Sequence, residues 1–316
     1  MENVYDLIVL GAGPAGLSAG IYAGRAGLKT LILEKGLVGG QIINTSEIEN
    51  YPGQVLSGET GESLTARMAS QAESFGCLRQ RAEIKEAFLE GGIKVLTSRK
   101  GKFMARAVII ATGAVPRPIG CRGESEFVGR GVSYCAVCDA SFFKGMRTFV
   151  VGGGDSAVEE AVFLTRFARR VTIIHRRDSL RAAKSIQQKA FANPQIDFIW
   201  DSVVEEVGGG QRLEHIIVKN VKSGALTRIE KEAGEPGMGV FGFVGNVPAT
   251  ALFEGALDMD GGYIKTTERM ETNVSGVFAA GDVRKTPLRQ VVTAAADGAI
   301  AATWAEKYIA AMSDAN

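Results

Sequence analysis

Apolar residues along this 316-residue chain fall into short runs, several of them ended by glycine, instead of long amphipathic stretches. Tyr5 to Leu10 is the first such run. Gly11-Ala12-Gly13-Pro14-Ala15-Gly16 follows it, and Leu17 to Ala26 has the small apolar residues of a closely packed helix. A second run, Thr30 to Leu33, is closed by Glu34. Short apolar runs bounded by turn signals mark strands buried on both faces, so the order is strand, glycine turn, helix, strand.

That order returns further along. Thr148 to Val151 is apolar, Gly152-Gly153-Gly154-Asp155-Ser156-Ala157 is the turn, Val158 to Phe167 reads as helix, and Val171 to Ile174 as a strand closed by His175. Gly11 to Glu34 and Gly152 to His175 are both 23 residues apart, so one offset of 141 superposes the two units. Between them, Ala107 to Ile110 leads into Ala111-Thr112-Gly113 and then Val115-Pro116-Arg117-Pro118, where two prolines break regular structure. Val240 to Val244 with Gly245-Asn246-Val247-Pro248 reads as a return crossing. Gly276 to Ala280 with Gly281-Asp282 reads as a further strand and turn, Val291 to Ala310 as a closing helix, and Gly208-Gly209-Gly210 as a hairpin turn. The expected fold is α/β, with two Rossmann-like dinucleotide-binding domains, the second inserted into the first. Residues 1–114 and 246–316 would form one, residues 115–245 the other.

Composition narrows the function. Thirty-six Lys and Arg against 35 Asp and Glu leave a net charge of +1, which removes the broad positive field that nucleic acid or an anionic membrane needs. Glycine, at 40 residues against 8 prolines, is far above its ordinary share of about 7% and fits a chain rich in tight turns and phosphate loops. Four cysteines are too few for a disulfide scaffold, so a reducing, cytoplasmic setting is expected. No stretch approaches 18 continuous apolar residues, and Met1 to Asp6 has acidic residues where an export signal has basic ones. No membrane partner is expected.

A glycine turn between strand and helix lets backbone N–H groups meet a pyrophosphate at the helix N-terminus. Glu34, at the end of the second strand, is the carboxylate expected to accept hydrogen bonds from a ribose diol, and it would repel a phosphate there. In the second unit His175-Arg176-Arg177 and Arg181 replace that acid. Guanidinium groups bind phosphate bidentately, so this strand end suits a 2′-phosphate, hence NADP; a solvated basic helix start is the plainer alternative. Ala157 stands where the third glycine would be, the GxGxxA variant. Two different dinucleotide sites imply electron passage between them, with FAD at Gly11, Gly13, Pro14, Ala15 and Gly16, and at Glu34 and Lys35, and NADPH at Gly152, Gly153, Gly154, Asp155, Ser156 and Ala157.

Cys135-Ala136-Val137-Cys138 lies between the fingerprints. Structural zinc asks for four ligands, and only His175 and His215 accompany this single pair. Two buried thiols remain possible, but the two-residue spacing beside two redox nucleotides favours redox activity. No metal is expected, and Cys77 and Cys121 read as structural. Asp139 follows the pair; as a protonated acid it could supply a proton to a released thiolate, or it could simply cap the next helix or turn.

With these residues in view, the chain resembles, over essentially its full length, the low-molecular-weight thioredoxin reductases of bacteria, archaea, fungi and plants. The matching segments are the two glycine turns, Gly39-Gly40-Gln41, Ala111-Thr112-Gly113, Cys135 to Asp139, the His175 to Arg181 cluster, and Gly281-Asp282 with Arg289-Gln290. Larger disulfide reductases place a cysteine pair with four intervening residues near the first turn, where Gly39-Gly40-Gln41 stands here. Ferredoxin-dependent relatives lack the arginine cluster. The resemblance implies an NADPH-dependent flavoprotein disulfide reductase acting on thioredoxin, usually a homodimer. It further implies FAD contacts at Gly39, Gly40, Gln41, Asn50, Thr112, Gly113, Gly281, Asp282, Arg289 and Gln290. Cys138 would face the flavin and Cys135 would attack the protein disulfide. Glu230 to Gly239 and Gly245 to Pro248 depart from the family's usual form.

Overall fold

The first apolar run becomes strand β1 (Val4–Leu10), and its alternation decides the layering. Leu7 and Val9 join the core on one side of a sheet and Ile8 and Leu10 the core on the other, as in strands covered on both faces. The computed structural model describes residues 4–45, 48, 50–55 and 58–314. These divide into two compact units, Met1–Val115 with Val247–Asn316, and Pro116–Asn246.

In chain order the first unit begins with β1, α1 (Pro14–Arg25), β2 (Thr30–Glu34), α2 (Gly61–Ser74), β3 (Leu78–Arg81), β4 (Ile84–Phe88), β5 (Lys94–Ser98), the long β6 (Gly101–Ile110) and the short β7 (Ala114–Pro116). The second unit follows with α3 (Glu124–Phe127), β8 (Val132–Ser133), α4 (Ala136–Asp139), β9 (Arg147–Gly152), α5 (Asp155–Leu164), β10 (Arg170–Ile174), α6 (Lys184–Phe191) and β11 (Ile196–Ile199). It ends with β12 (Ser202–Gly209), β13 (Leu213–Asn220), β14 (Leu226–Glu230) and β15 (Gly239–Phe243). The chain returns through β16 (Asn246–Pro248) to β17 (Met259–Asp260), β18 (Tyr263–Ile264), β19 (Val277–Ala279) and α7 (Val291–Asp314).

In the first unit the sheet order is β3-β2-β1-β6-β5-β4, with β19 also paired to β6. Strand β6 pairs with β1 and, besides it, serves two further partners along its length. Its start pairs antiparallel with β5, and Val108 to Ile110 pair parallel with β19. Helices α1, α2 and α7 cover one face, burying Leu17, Met68 and Ala301 against Val9 and Ile109. The second unit holds a parallel sheet, β11-β10-β9-β15-β8, and a separate antiparallel sheet, β12-β13-β14. Val150, Ile173 and Phe241 face α5 on one side, while Phe149, Ile174 and Val240 face Leu213 and Ile216 on the other.

Two boundaries differ from the pattern-based expectation. The helices after the glycine turns start at Pro14 and Asp155, within the fingerprints, because the turn itself forms the first helical residues. Gly208 and Gly209 belong to β12, and the hairpin turns after them. Gly208 pairs with His215, whose ring occupies the space a Cβ would take, 2.4 Å from it.

Candidate functional site

The N-terminus of α1 has Gly13 as its cap with no side-chain hydrogen bond to it, and Pro14 at the first turn has no N–H to satisfy. Gly11 has φ of +107°, and a Cβ there would lie 2.2 Å from Ala111 O, so the turn closes on the end of β6 only with glycine. At Gly13 a Cβ would meet nothing nearer than 3.9 Å, so its backbone is open to a close ligand. Glu34 Oε2 accepts the Ala12 N–H at 2.8 Å and Oε1 accepts the Gly36 N–H at 2.8 Å. Both oxygens are thereby held at the rim of the turn with lone pairs to spare. A cleft of about 250 Å³ opens beside Glu34, with Ala12, Val38, Arg79, Gln80 and Arg81 in its wall. Sequence reading missed the β3 residues, because nothing local marks an edge strand as a cleft wall. Lys35 is exposed and supplies a carbonyl that accepts from Arg81 Nε at 3.3 Å.

Other elements of this unit converge on the same helix end. Gly39 N–H donates to Ala12 O at 2.8 Å, and a Cβ at Gly281 would lie 2.9 Å from that of Ala15. Gly281 N–H donates to Asp297 Oδ2 at 3.1 Å, and Asp297, 6% exposed, pairs with Arg284 at 2.6 Å. Burial pushes the neighbouring Asp282 carboxyl up, against the lowering effect of Arg289. Gln41 Nε2 donates to Ala114 O, Thr112 Oγ1 donates to Ala249 O at 2.8 Å, and Ala249 N–H returns to Gly113 O at 2.9 Å. Asn50 and Gln290 join each other, Nδ2 to Oε1 at 3.0 Å. Arg289 stacks 4.2 Å from the Tyr263 ring centroid.

The second turn is built alike, with Gly154 capping α5 and no side chain bonded to that end. Arg176, Arg177 and Arg181 are exposed, and none of them is in an ion pair among the described residues. Arg181 N–H donates to Gly153 O at 2.7 Å, and Asp155 Oδ1 accepts the Ala183 N–H at 2.7 Å, which seats the arginine segment on the turn. His175 departs from the expected cluster. It is 4% exposed, and a Cβ at Gly153 would lie 2.4 Å from its ring. Burial, and then the three arginines, push its pKa down, so the ring underlies the turn as a neutral group and adds no charge to the rim.

Cys135 and Cys138 are joined as a disulfide, with Cα atoms 5.4 Å apart. Cys135 caps α4, and its Sγ accepts the Cys138 N–H at 3.1 Å, a contact that stabilises a thiolate on Cys135. Cys135 is half-buried and Cys138 is exposed. Asp139 does not cap the following turn. It accepts from Ser133 Oγ at 2.7 Å, and that oxygen accepts the Cys135 N–H at 3.1 Å. Ser133, two residues before the first cysteine and 4% exposed, was not singled out by its sequence context. Phe142, four residues after Cys138, is 72% exposed. Cys77 and Cys121 are free, and burial pushes both thiols up to about 12, so neither is a ready nucleophile. Among the described residues no group of three or more His, Cys, Asp or Glu side chains could hold a metal ion, and no helix is long and apolar enough to cross a membrane.

The pyridine nucleotide-disulphide oxidoreductase family model matches residues 5–298. A thioredoxin reductase of Peptoclostridium acidaminophilum is 54% identical over 312 residues, covering 98% of this chain and 99% of its own. The crystal structure of Lactococcus lactis thioredoxin reductase superposes with a TM-score of 0.92 at 43% identity, over 97% of this chain and 99% of its own. That of T. acidophilum thioredoxin reductase gives 0.88 at 32% identity, over 98% of this chain and 100% of its own. A shared two-turn α/β fold, a bonded cysteine pair at a helix N-terminus and full-length similarity agree: the chain belongs to the thioredoxin reductases of the pyridine nucleotide-disulphide oxidoreductase family, oxidoreductases that use a flavin and a pyridine nucleotide.

Proposed function

We propose that this protein uses NADPH to reduce the disulfide of thioredoxin, with FAD held by the first unit and NADPH by the second. One observation carries the reading: the bonded Cys135–Cys138 pair lies on α4 in the same unit as a glycine turn edged by three unpaired arginines. The open backbone at Gly13 and the positioned Glu34 carboxylate fit a dinucleotide pyrophosphate and an unphosphorylated ribose. Arg176, Arg177 and Arg181 fit a 2′-phosphate, which favours NADPH over NADH. When bound, the two cofactors would supply hydride donation and its acceptance.

The residues of the chain account for the thiol chemistry. In the reduced pair, Cys135, its thiolate stabilised at the start of α4, attacks the substrate disulfide, forming a mixed disulfide and releasing one substrate thiolate, which takes up a proton. Cys138 then attacks Cys135 Sγ. The internal disulfide re-forms and the second substrate sulfur leaves as a thiolate. Asp139, linked through Ser133 to the Cys135 backbone, is placed to protonate a departing thiolate. Phe142 offers an apolar contact beside the pair for a protein substrate.

A homodimeric, cytoplasmic enzyme completes the reading, supported by the family resemblance and by the two free cysteines. NADPH oxidation by the FAD-loaded protein, followed with oxidised thioredoxin and with small disulfide compounds, tests it. Turnover with thioredoxin and NADPH supports the proposal; turnover confined to small disulfides, or to NADH, overturns it.

A further inference from the structure

We propose that Glu124 and Tyr134 are a positioning pair that holds the Cys135 backbone in the geometry of the disulfide and ties it to the chain segments beside both crossings. Glu124 opens α3 and is 7% exposed. Its Oε1 accepts the Ile119 N–H at 2.6 Å, its Oε2 accepts the Gly120 N–H at 2.7 Å, and the Tyr134 hydroxyl donates to Oε1. One buried carboxylate thus joins the strap that follows Pro116 to the residue immediately before Cys135. Charge-assisted hydrogen bonds of this kind are the strong ones, and removing one partner leaves the other buried and unsatisfied. Burial, then the Glu124 carboxylate, push the Tyr134 pKa upward, so the hydroxyl stays a donor across the working pH range.

The aromatic ring extends the connection to the returning chain. At Gly242, in β15, a Cβ would lie 2.8 Å from Ile119 Cγ1 and 2.9 Å from Tyr134 Cε1, so both side chains pack on bare backbone there. Three residues on, Gly245 O accepts the Arg117 N–H at 2.8 Å. Tyr134 therefore contacts the outgoing pass through Glu124 and Ile119, and the returning pass through Gly242. On the other side, the Cys135 N–H is held by Ser133 Oγ at 3.1 Å. A thiol whose backbone is fixed beside its partner has a high effective concentration toward it, which stabilises the disulfide against exchange with an external dithiol. Freeing that backbone makes the pair easier to reduce.

This inference deepens the proposed reaction and rests on it for its biological meaning, but its test does not need thioredoxin. The FAD-loaded full-length protein, without NADPH, is equilibrated anaerobically with mixtures of reduced and oxidised dithiothreitol, which reduces the disulfide to two thiols as it becomes oxidised itself. Alkylation and mass spectrometry then report the state of Cys135 and Cys138. Tyr134→Phe keeps the ring and removes only the donor. It should reach half-reduction at a roughly tenfold lower ratio of reduced to oxidised dithiothreitol than the parent, with flavin reduction by NADPH changed less than about twofold. Glu124→Gln should shift the same way, and the double variant no further than the larger single shift, as expected for one coupled unit. An unchanged midpoint in a folded, FAD-containing Tyr134→Phe protein overturns the proposal, and so do single shifts that simply add. Failure of the parent to turn over thioredoxin would instead count against the function above and leave this titration readable.

Discussion

Ser133 Oγ stands between two parts of the redox segment, 2.7 Å from Asp139 Oδ2 and 3.1 Å from the Cys135 nitrogen. The acid after the second cysteine is thereby connected through a single hydroxyl to the backbone of the first. A carboxylate placed directly against a thiol opposes thiolate formation, and Ser133 fixes the orientation of this one.

Replacing either member of that link should slow the thiol half-reaction and spare the nucleotide half. Asp139→Asn is expected to lower the rate of thioredoxin reduction about 100-fold, the low end of what a positioned general acid contributes. Ser133→Ala should have a smaller effect of the same kind. Rapid-mixing measurement of flavin reduction by NADPH, set beside steady-state thioredoxin turnover, separates the halves. Equal slowing of both would show that the link serves folding and not proton supply.

Arg176, Arg177 and Arg181 are exposed and, among the described residues, have no carboxylate partner, which leaves their guanidinium groups open to an anion. Arg177→Ala and Arg181→Ala should each raise the KM for NADPH by an amount corresponding to about 1.5–3 kcal/mol, the worth of a charge-assisted hydrogen bond, while leaving the KM for NADH nearly unchanged. His175→Asn should not mimic them, because the ring is buried beneath Gly153 and carries no charge to the rim. Parallel kinetics with the two nucleotides decide the matter, and loss of equal size with both would remove the 2′-phosphate assignment.

Glu34 has two duties at the first turn, since it binds backbone N–H groups of Ala12 and Gly36 and faces the neighbouring cleft. Glu34→Ala should therefore release FAD and also lower the melting temperature of the cofactor-free protein, as two backbone donors lose their acceptor. Flavin absorbance after gel filtration measures the first effect and calorimetry the second. Stoichiometric FAD in the variant would place the ribose elsewhere.

The parts of this molecule legible in its sequence are those decided within about thirty residues, the length of a strand-turn-helix-strand unit. Gly11 to Glu34 and Gly152 to His175 show their turns, helices and strand ends because glycine spacing and apolar runs are local signals. The Cys135–Cys138 spacing is local too, and the structure joins the two as a disulfide. Ser133, Glu124 and Tyr134 were not legible, since their importance arises from which atoms the folded chain brings within 3 Å of one another. His175 shows the same limit in another form. It shares a basic motif with Arg176 and Arg177, yet the path of the chain leaving β10 turns its ring inward and leaves theirs in solvent. The acidic segment from Glu230 to Gly239 looked anomalous in sequence; its Glu235 accepts from Arg147 and Arg169, which anchors the connection between β14 and β15.

One group on α5 is held at a disadvantage at neutral pH. Glu160 has a buried Oε2 without a hydrogen-bond partner among the described residues, and burial, with Glu159 beside it, pushes its pKa from 4.5 up to about 7. The folded state thus binds the Glu160 proton more tightly than the unfolded chain does. The contribution of that proton to stability is complete below about pH 4.5 and is lost as pH rises through about 7. Glu160→Gln removes the charge and keeps the shape, so the variant should match the parent near pH 4.5 and exceed it at pH 8. The gain should be on the order of 1–3 kcal/mol, the cost of leaving a buried acceptor unsatisfied, or several degrees in melting temperature for a unit of this size. Calorimetry of both proteins at the two pH values provides the comparison. A melting-temperature difference that is the same at pH 4.5 and pH 8 would mean that Glu160 keeps an ordinary carboxyl pKa in the fold, and that water or a neighbouring donor reaches Oε2.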